Sequence, residues 1–162
     1  LPLIILASSV NFSLAQDWQD SYPHISFSSL IQQCESIMGE EALTCETTCF
    51  NYCGKLDMKY EVEFTYIGTT SALKGTKKRY IENWLKTYFG DKYNGFYQHE
   101  ISFSNDSITY NIAVQEATLP YYAEELLTND SVYLYLMCAG TLVEDDEFQH
   151  IFVANDFLKK ED

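Results

Sequence analysis

A strict alternation of apolar and polar residues between Met58 and Tyr66 constrains this chain more than any other feature. Met58, Tyr60, Val62, Phe64 and Tyr66 alternate with lysine, glutamate and threonine. A period of two is typical of a strand that buries one face. Four later runs repeat the pattern, near residues 97–103, 108–114, 132–142 and 148–153. The chain is therefore predicted to build most of its core from a sheet.

Two segments carry helical spacing instead. Apolar residues fall three or four apart after Ser26, which predicts a helix capped by Ser26 and ended by Gly39. Thr76 is predicted to cap a second helix, whose buried face comprises Tyr80, Ile81, Trp84, Leu85 and Tyr88. Residues 40–57 are read as a further helix or a stapled loop, and 121–127 as a short helix or part of an acidic loop. Helices followed by antiparallel strands indicate an α+β fold.

Composition narrows the class of protein. The chain has 162 residues, 46% hydrophobic and 15% aromatic, which suits one folded domain rather than a disordered chain. Its formal net charge is −14. Such an acidic surface repels phosphate backbones and anionic membranes, so we expect no nucleic-acid partner.

The N-terminus resembles a secretory leader. An apolar run ends with Ser13 and Ala15, small residues suited to cleavage before Gln16. The alternative is an apolar first helix of the domain. We predict a signal peptide at 1–15, a helical cysteine-rich segment at 16–57 and an α+β core at 58–162. No stretch is long and apolar enough to predict a membrane span, so the expected location is extracellular or a secretory lumen.

The cysteines agree with export. Cys34, Cys45, Cys49 and Cys53 lie close together and are disulfide candidates in an oxidising compartment. A four-thiolate zinc site is the alternative, although its ligands usually come as C-x2-C pairs. Cys138 lies in a strand pattern, where a small buried side chain is expected. Because the number of cysteines is odd, one thiol stays free or pairs with another chain.

Two sequons also fit a secreted glycoprotein. Asn105-Asp106-Ser107 and Asn129-Asp130-Ser131 match N-x-[ST] and lie in turn-like stretches. We predict glycosylation at Asn105 and Asn129.

The order of elements resembles the nuclear transport factor 2-like superfamily, which includes ketosteroid isomerases and scytalone dehydratase. The resemblance covers residues 58–157. It rests on Met137–Leu142 followed by an acidic turn and Phe148–Phe152, and on Leu73–Gly75 followed by Ile81 and Leu85. It implies N-terminal helices on a curved, mainly antiparallel, cone-like sheet, a pocket between them, and dimerisation through the outer sheet face.

Four residues are candidates for lining that pocket: His99, Trp84, Tyr97 and His150. His99 is expected on one strand face with Tyr97, Ile101 and Phe103. Enzymes of the superfamily place Asp or His groups inside the cone, so His99 is the candidate acid or base. The chain has no nucleophile, phosphate or dinucleotide motif, and no metal or cofactor is predicted.

These features favour a secreted, non-enzymatic binding or assembly module that self-associates. Its expected partner is a protein, a second copy of the chain, or a small apolar ligand. One alternative is a small cone-fold dehydratase or isomerase that uses His99. Another is a structural subunit of an extracellular assembly, cross-linked through the odd cysteine.

Overall fold

The computed structural model describes residues 21–37, 49–52, 59–144 and 147–161. Helices and strands are interspersed along this part of the chain, and a short 3-10 turn follows the second helix. The bounds are α1 Phe27–Ile37, β1 Cys49–Tyr52, β2 Lys59–Ala72, α2 Gly75–Phe89, the 3-10 turn Asp91–Tyr93, β3 Tyr97–Asn105, β4 Ile108–Gln115, α3 Leu119–Glu125, β5 Ser131–Glu144 and β6 Glu147–Lys159.

The strands form one sheet that closes on itself. Their order is β1-β5-β2-β3-β4-β6, and β5 also pairs with β6, so five strands make a barrel that β1 extends at β5. All pairs are antiparallel except β4 with β6, which join through Ala113–Val153 and Val114–Ala154. The α+β class and the curved, mainly antiparallel sheet are confirmed. Closure goes beyond the cone-like sheet that we expected, and it leaves fewer unpaired strand edges.

The barrel interior is one apolar core, and α1 contributes to it. Ser26 caps α1 as predicted, because its Oγ accepts a hydrogen bond from the Ser29 N–H at 3.2 Å. From α1 the buried side chains of Phe27, Leu30 and Cys34 join the interior cluster. The Phe27 ring packs edge-to-face on rings from three strands: Phe64, Tyr110 and Phe152.

Helix α2 covers part of the outer barrel face. Its buried residues are Tyr80, Ile81, Trp84 and Leu85, which confirms four of the five residues of the predicted face; Tyr88 is only partly buried. The predicted cap is wrong. The helix begins at Gly75 after Lys74, and the Thr76 hydroxyl instead donates to Glu144 Oε1 at 2.9 Å.

Four irregularities break the alternation of the strands, one of them at Ala139, the extra residue of β5. In β2 the register shifts between Tyr66 and Thr70, and the strand continues through the segment that we predicted as a connection. In β3 the extra residue is Gln98, and in β6 it is Asn155. A bulge redirects the side chains beside it. Tyr97 therefore packs on the outer face, whereas Ile101 lies in the interior, so the expectation of one shared strand face is wrong.

The cysteine-rich segment is described only in part. Residues Cys49–Tyr52 form strand β1, where we expected a helix or a stapled loop. Cys45, Cys53 and the leader 1–15 lie outside the described residues. Within the described ranges, no helix has both the length and the apolar character that crossing a bilayer requires.

Candidate functional site

A groove of about 530 Å³ lies on the outer face of the barrel, beside α2. This volume is within the range of roughly 300–1,000 Å³ that is typical of ligand pockets. We call it the aromatic groove. It is lined by Tyr22, Trp84, Leu85, Phe89, Tyr93, Phe96, Tyr97, Gln115, Thr118, Met137, Asn155 and Asp156.

Five aromatic rings follow one another along the groove wall. Successive centroids lie 5.3 Å apart from Trp84 to Phe89, 5.8 Å from Phe89 to Tyr93, 5.5 Å from Tyr93 to Phe96 and 5.7 Å from Phe96 to Tyr97. All four contacts are edge-to-face, the arrangement that aromatic quadrupoles favour. Each ring is thus held in place by its neighbours, and the wall presents both ring faces and ring edges to the groove.

One end of the groove is polar and is organised by Asn155. The Tyr97 hydroxyl donates to Asn155 Oδ1 at 2.6 Å, and Gln115 Nε2 donates to the same oxygen at 3.0 Å. Asn155 Nδ2 donates to the Tyr22 hydroxyl at 2.6 Å. Asn155 is the bulged residue of β6, and the bulge directs its amide to this side of the sheet. The network fixes three side chains around the Asn155 amide.

Among the described residues that line the groove, Asp156 is the only acidic one, and none is basic. Burial raises the pKa of the Asp156 carboxyl, and the negative charge of Glu125 raises this pKa further. Burial also raises the pKa of Tyr97 far above its usual range, so its hydroxyl remains a neutral donor. The groove therefore presents one partly desolvated acid beside neutral groups.

The indole of Trp84 is almost completely buried in the groove wall, with 1% of its surface exposed. Its Nε1–H finds no hydrogen-bond acceptor among the described residues. An unpaired buried donor costs stability. A buried donor in a cavity wall that has no acceptor in the described part of the chain is available to a ligand in the groove.

The structure separates the four pocket candidates. Trp84 and Tyr97 both line the aromatic groove, whereas His99 and His150 do not. His99 Nδ1 lies 2.8 Å from Glu116 Oε1, and both side chains are 36% exposed. His150 lines a second groove, of about 350 Å³, between β4 and β6.

His150 has a structural setting. Its Nδ1 lies 2.9 Å from the Thr141 hydroxyl. Burial lowers the pKa of the imidazole, and the negative charge of Glu35 partly offsets this. The neutral ring is the form that this environment favours.

The two sequons lie in turns with different exposure. Asn105 ends β3 before a turn with positive φ at Asp106 and Ser107, and its Nδ2 donates to the Glu63 carbonyl at 3.0 Å. Asn129 is exposed in the turn between α3 and β5, with φ of 77°. At Asn105, the side-chain nitrogen that would carry a glycan is thus already engaged in a hydrogen bond with the Glu63 carbonyl.

Sequence reasoning missed several residues of the groove, above all Asn155, Asp156 and Gln115. These polar residues come just after predicted strands, and the alternation of the strands alone gave no reason to place them in a site. The aromatic residues from Phe89 to Tyr97 offered a signal, because four of them fall within nine positions. This density is typical of a binding surface as well as of a core.

Comparison with known proteins adds no family. No protein-family model matches the chain, and no curated protein is significantly similar to it. Among the described residues, no three His, Cys, Asp or Glu side chains are placed to share a metal ion.

Proposed function

We propose that this protein is a secreted, non-enzymatic binding module whose aromatic groove holds a small aromatic ligand with a cationic group. The observation that carries the proposal is the groove itself, which combines a wall of five rings with Asp156, the only acid among its described lining residues. Flat apolar ligands gain from burial against such rings. A neutral or cationic ligand also fits the net charge of −14, which repels anions.

Asp156 supports the cationic part of the proposal. A carboxylate that is partly removed from water gains more from an ammonium partner than an exposed carboxylate does. The ring faces beside it attract a cation as well. A ligand that joins an aromatic ring to a short aminoalkyl chain meets both features.

Two ligands of similar size and opposite charge test the proposal. We expect tryptamine to bind with a measurable heat by isothermal titration calorimetry, and indole propionate to bind at least 10-fold more weakly. Asp156→Asn should remove most of this preference, by weakening tryptamine alone. The matched control is Glu124→Gln, an exposed acid on α3 outside the groove lining, which should leave both affinities unchanged. Equal binding of the two ligands, or none, contradicts the proposal.

A second variant tests the place of binding. Met137 lines the groove from β5, and Met137→Trp would fill part of its volume. We expect this substitution to abolish tryptamine binding while the melting curve stays cooperative. Unchanged affinity would place the ligand elsewhere.

The enzyme alternative has one observation in its favour, the contact between His99 and Glu116. A carboxylate that orients a histidine is a common element of acid–base sites. Against it, both groups are over one third exposed, and His99 is not among the lining residues of the aromatic groove or of three smaller grooves. Isomerisation of a β,γ-unsaturated ketone, followed by ultraviolet absorbance and lost in His99→Gln, would favour the enzyme.

Membership of the nuclear transport factor 2-like superfamily is part of the proposal. Its support is the order of the elements: helix α2 begins at Gly75, and β5 and β6 form an antiparallel hairpin. Barrel closure through β4 and β6 is a departure from it. An experimental structure that superposes on superfamily members over α2 and β2–β6 is the expected result. Superposition of the β5–β6 hairpin alone would reject the relationship.

Self-association also remains a prediction, tested by sedimentation velocity. The resemblance implies an interface on the outer sheet face, where β5 carries Tyr133 and Tyr135. Tyr22 packs edge-to-face on Tyr135 at 5.4 Å, and His24 on Tyr133 at 5.6 Å. Because the chain covers these rings itself, a dimer would need other parts of the face.

A further inference from the structure

Two cysteines that are 104 positions apart in the chain meet inside the barrel. Cys34 lies on α1 and Cys138 on β5, and their Sγ atoms are 2.9 Å apart. Each residue is buried, with 4% of its surface exposed. Both belong to the interior apolar cluster, so no solvent separates the two sulfurs.

This separation is too short for two sulfurs that merely pack together. Non-bonded heavy atoms reach their best contact at roughly 3.5–4.0 Å, and sulfur is larger than carbon. A covalent S–S bond measures about 2.05 Å. A small approach of α1 to β5 therefore converts the contact into a bond. No other pair of cysteine side chains is brought together within the described residues.

We propose that Cys34 and Cys138 form a disulfide that ties α1 to the barrel. The oxidant is a small-molecule disulfide such as oxidised glutathione. The thiolate of one cysteine attacks it, forms a mixed disulfide and releases one glutathione thiolate. The second cysteine, as thiolate, then attacks the protein sulfur of the mixed disulfide and releases the other glutathione. The two cysteines lose two protons and two electrons, and the glutathione disulfide is reduced to two thiols.

Burial determines when this exchange takes place. Neither sulfur is open to a molecule as large as glutathione in the folded protein, since both residues are buried. The mixed disulfide must therefore form before α1 docks, or while α1 is transiently detached. Once formed, the bond should resist reductants under native conditions.

The pairing revises the expected disulfide framework. The sequence predicted a local staple among Cys34, Cys45, Cys49 and Cys53, with Cys138 as a buried thiol. The bond proposed here is instead long-range, and it leaves three cysteines, of which at least one has no intrachain partner. Oxidation in the cell rests on the proposed secretory location, whereas the pairing itself does not.

Peptide mapping of the unaltered chain tests the pairing directly. The purified protein is unfolded and refolded with oxidised glutathione, alkylated under denaturing conditions without reduction, and digested. The expected result is a cross-linked peptide joining residues 34 and 138, about 2 Da lighter than the sum of its two peptides. A peptide joining Cys34 to Cys45, Cys49 or Cys53 would overturn the proposal, as would alkylation of both Cys34 and Cys138.

A simplified variant isolates the effect on stability. Cys45→Ser, Cys49→Ser and Cys53→Ser together leave only the proposed pair. We expect reduction to lower the melting temperature of this variant by roughly 5–15 °C, because the bond closes a long loop. The same variant with Cys138→Ala added is the control and should not respond. An equal change in melting temperature on reduction of the two variants would contradict the proposal. If neither variant folds, the peptide map of the unaltered chain decides the pairing.

Because ligand binding is measured separately, failure here leaves the binding proposal standing. Tryptamine binding in the absence of the disulfide would reject only the cross-link. A mapped Cys34–Cys138 disulfide in a chain that binds neither indole ligand would reject only the binding function.

Discussion

Tyr97 and Asn155 are joined by a 2.6 Å hydrogen bond, and both owe their positions to β-bulges. Gln98 is the extra residue beside Tyr97 in β3, and Asn155 is itself the extra residue in β6. The two bulges bring a phenol and an amide together at the polar end of the aromatic groove. Irregularities in two strands that are not neighbours in the sheet thus create one part of the candidate site.

Asn155→Leu should destabilise the protein by about 1–3 kcal/mol, because it leaves the buried Tyr97 hydroxyl without its acceptor. Tyr97→Phe alone should cost about 0.5–1.5 kcal/mol. The double variant should lose less free energy of unfolding than the two single variants together, because it no longer contains an unpaired Tyr97 hydroxyl. Urea unfolding of the four proteins gives the coupling energy. Strict additivity would mean that the hydrogen bond contributes nothing.

Leu136→Ala should destabilise the protein by about 2–5 kcal/mol, as deletions from a packed core do. Leu136 lies on β5 in the barrel interior with no exposed surface. The matched control is Leu158→Ala on β6, where 47% of the side chain is exposed, with a cost below about 0.5 kcal/mol. Equal costs in a urea melt would show that the strand faces are assigned wrongly.

Asp156→Asn should raise the melting temperature at pH 7 by a few degrees. The folded pKa of Asp156 is raised above 3.8, so the folded state binds a proton more tightly than the unfolded state. The ionised form therefore lowers stability at neutral pH, and this penalty disappears as pH falls through the folded pKa. The difference in melting temperature between Asp156→Asn and the unaltered protein should therefore shrink as pH falls through the folded pKa of Asp156.

Asp130→Asn serves as a control of opposite sign. The Leu127 N–H and the Lys159 ammonium lower the pKa of Asp130. Its ionised form therefore contributes stability, which is present above pH 3.8 and is lost as pH falls through the folded pKa. Asp130→Asn should lower the melting temperature at pH 7, and the deficit should shrink in acid. The same pH trend in both variants would contradict the assignment of the two shifts.

Protein secreted by eukaryotic cells should begin at Gln16 and carry a glycan on Asn129. The exposed turn around Asn129 presents its amide to solvent, whereas the Asn105 amide is bonded to Glu63. Intact mass should decrease by one glycan in Asn129→Gln and change little in Asn105→Gln. An uncleaved chain without glycan and with every thiol reduced would reject the secreted location.

Local patterns were enough to predict most elements of the fold. The alternation from Met58 onward, the helical face of α2 and the Ser26 cap each depend on residues close in sequence, whose periodicity follows directly from strand and helix geometry. The burial of Trp84 and the hairpin of β5 with β6 could therefore be predicted from the sequence.

Tertiary structure decided what depends on a shift of register or on distant partners. A single extra residue reverses every side chain beyond it, so alternation alone placed Tyr97 with Ile101 and assigned no role to Asn155. Barrel closure depends on two residue pairs between β4 and β6, and the contact of Cys34 with Cys138 depends on how α1 docks. These outcomes reflect packing between segments far apart in the chain, for which the local sequence carries no periodic signal.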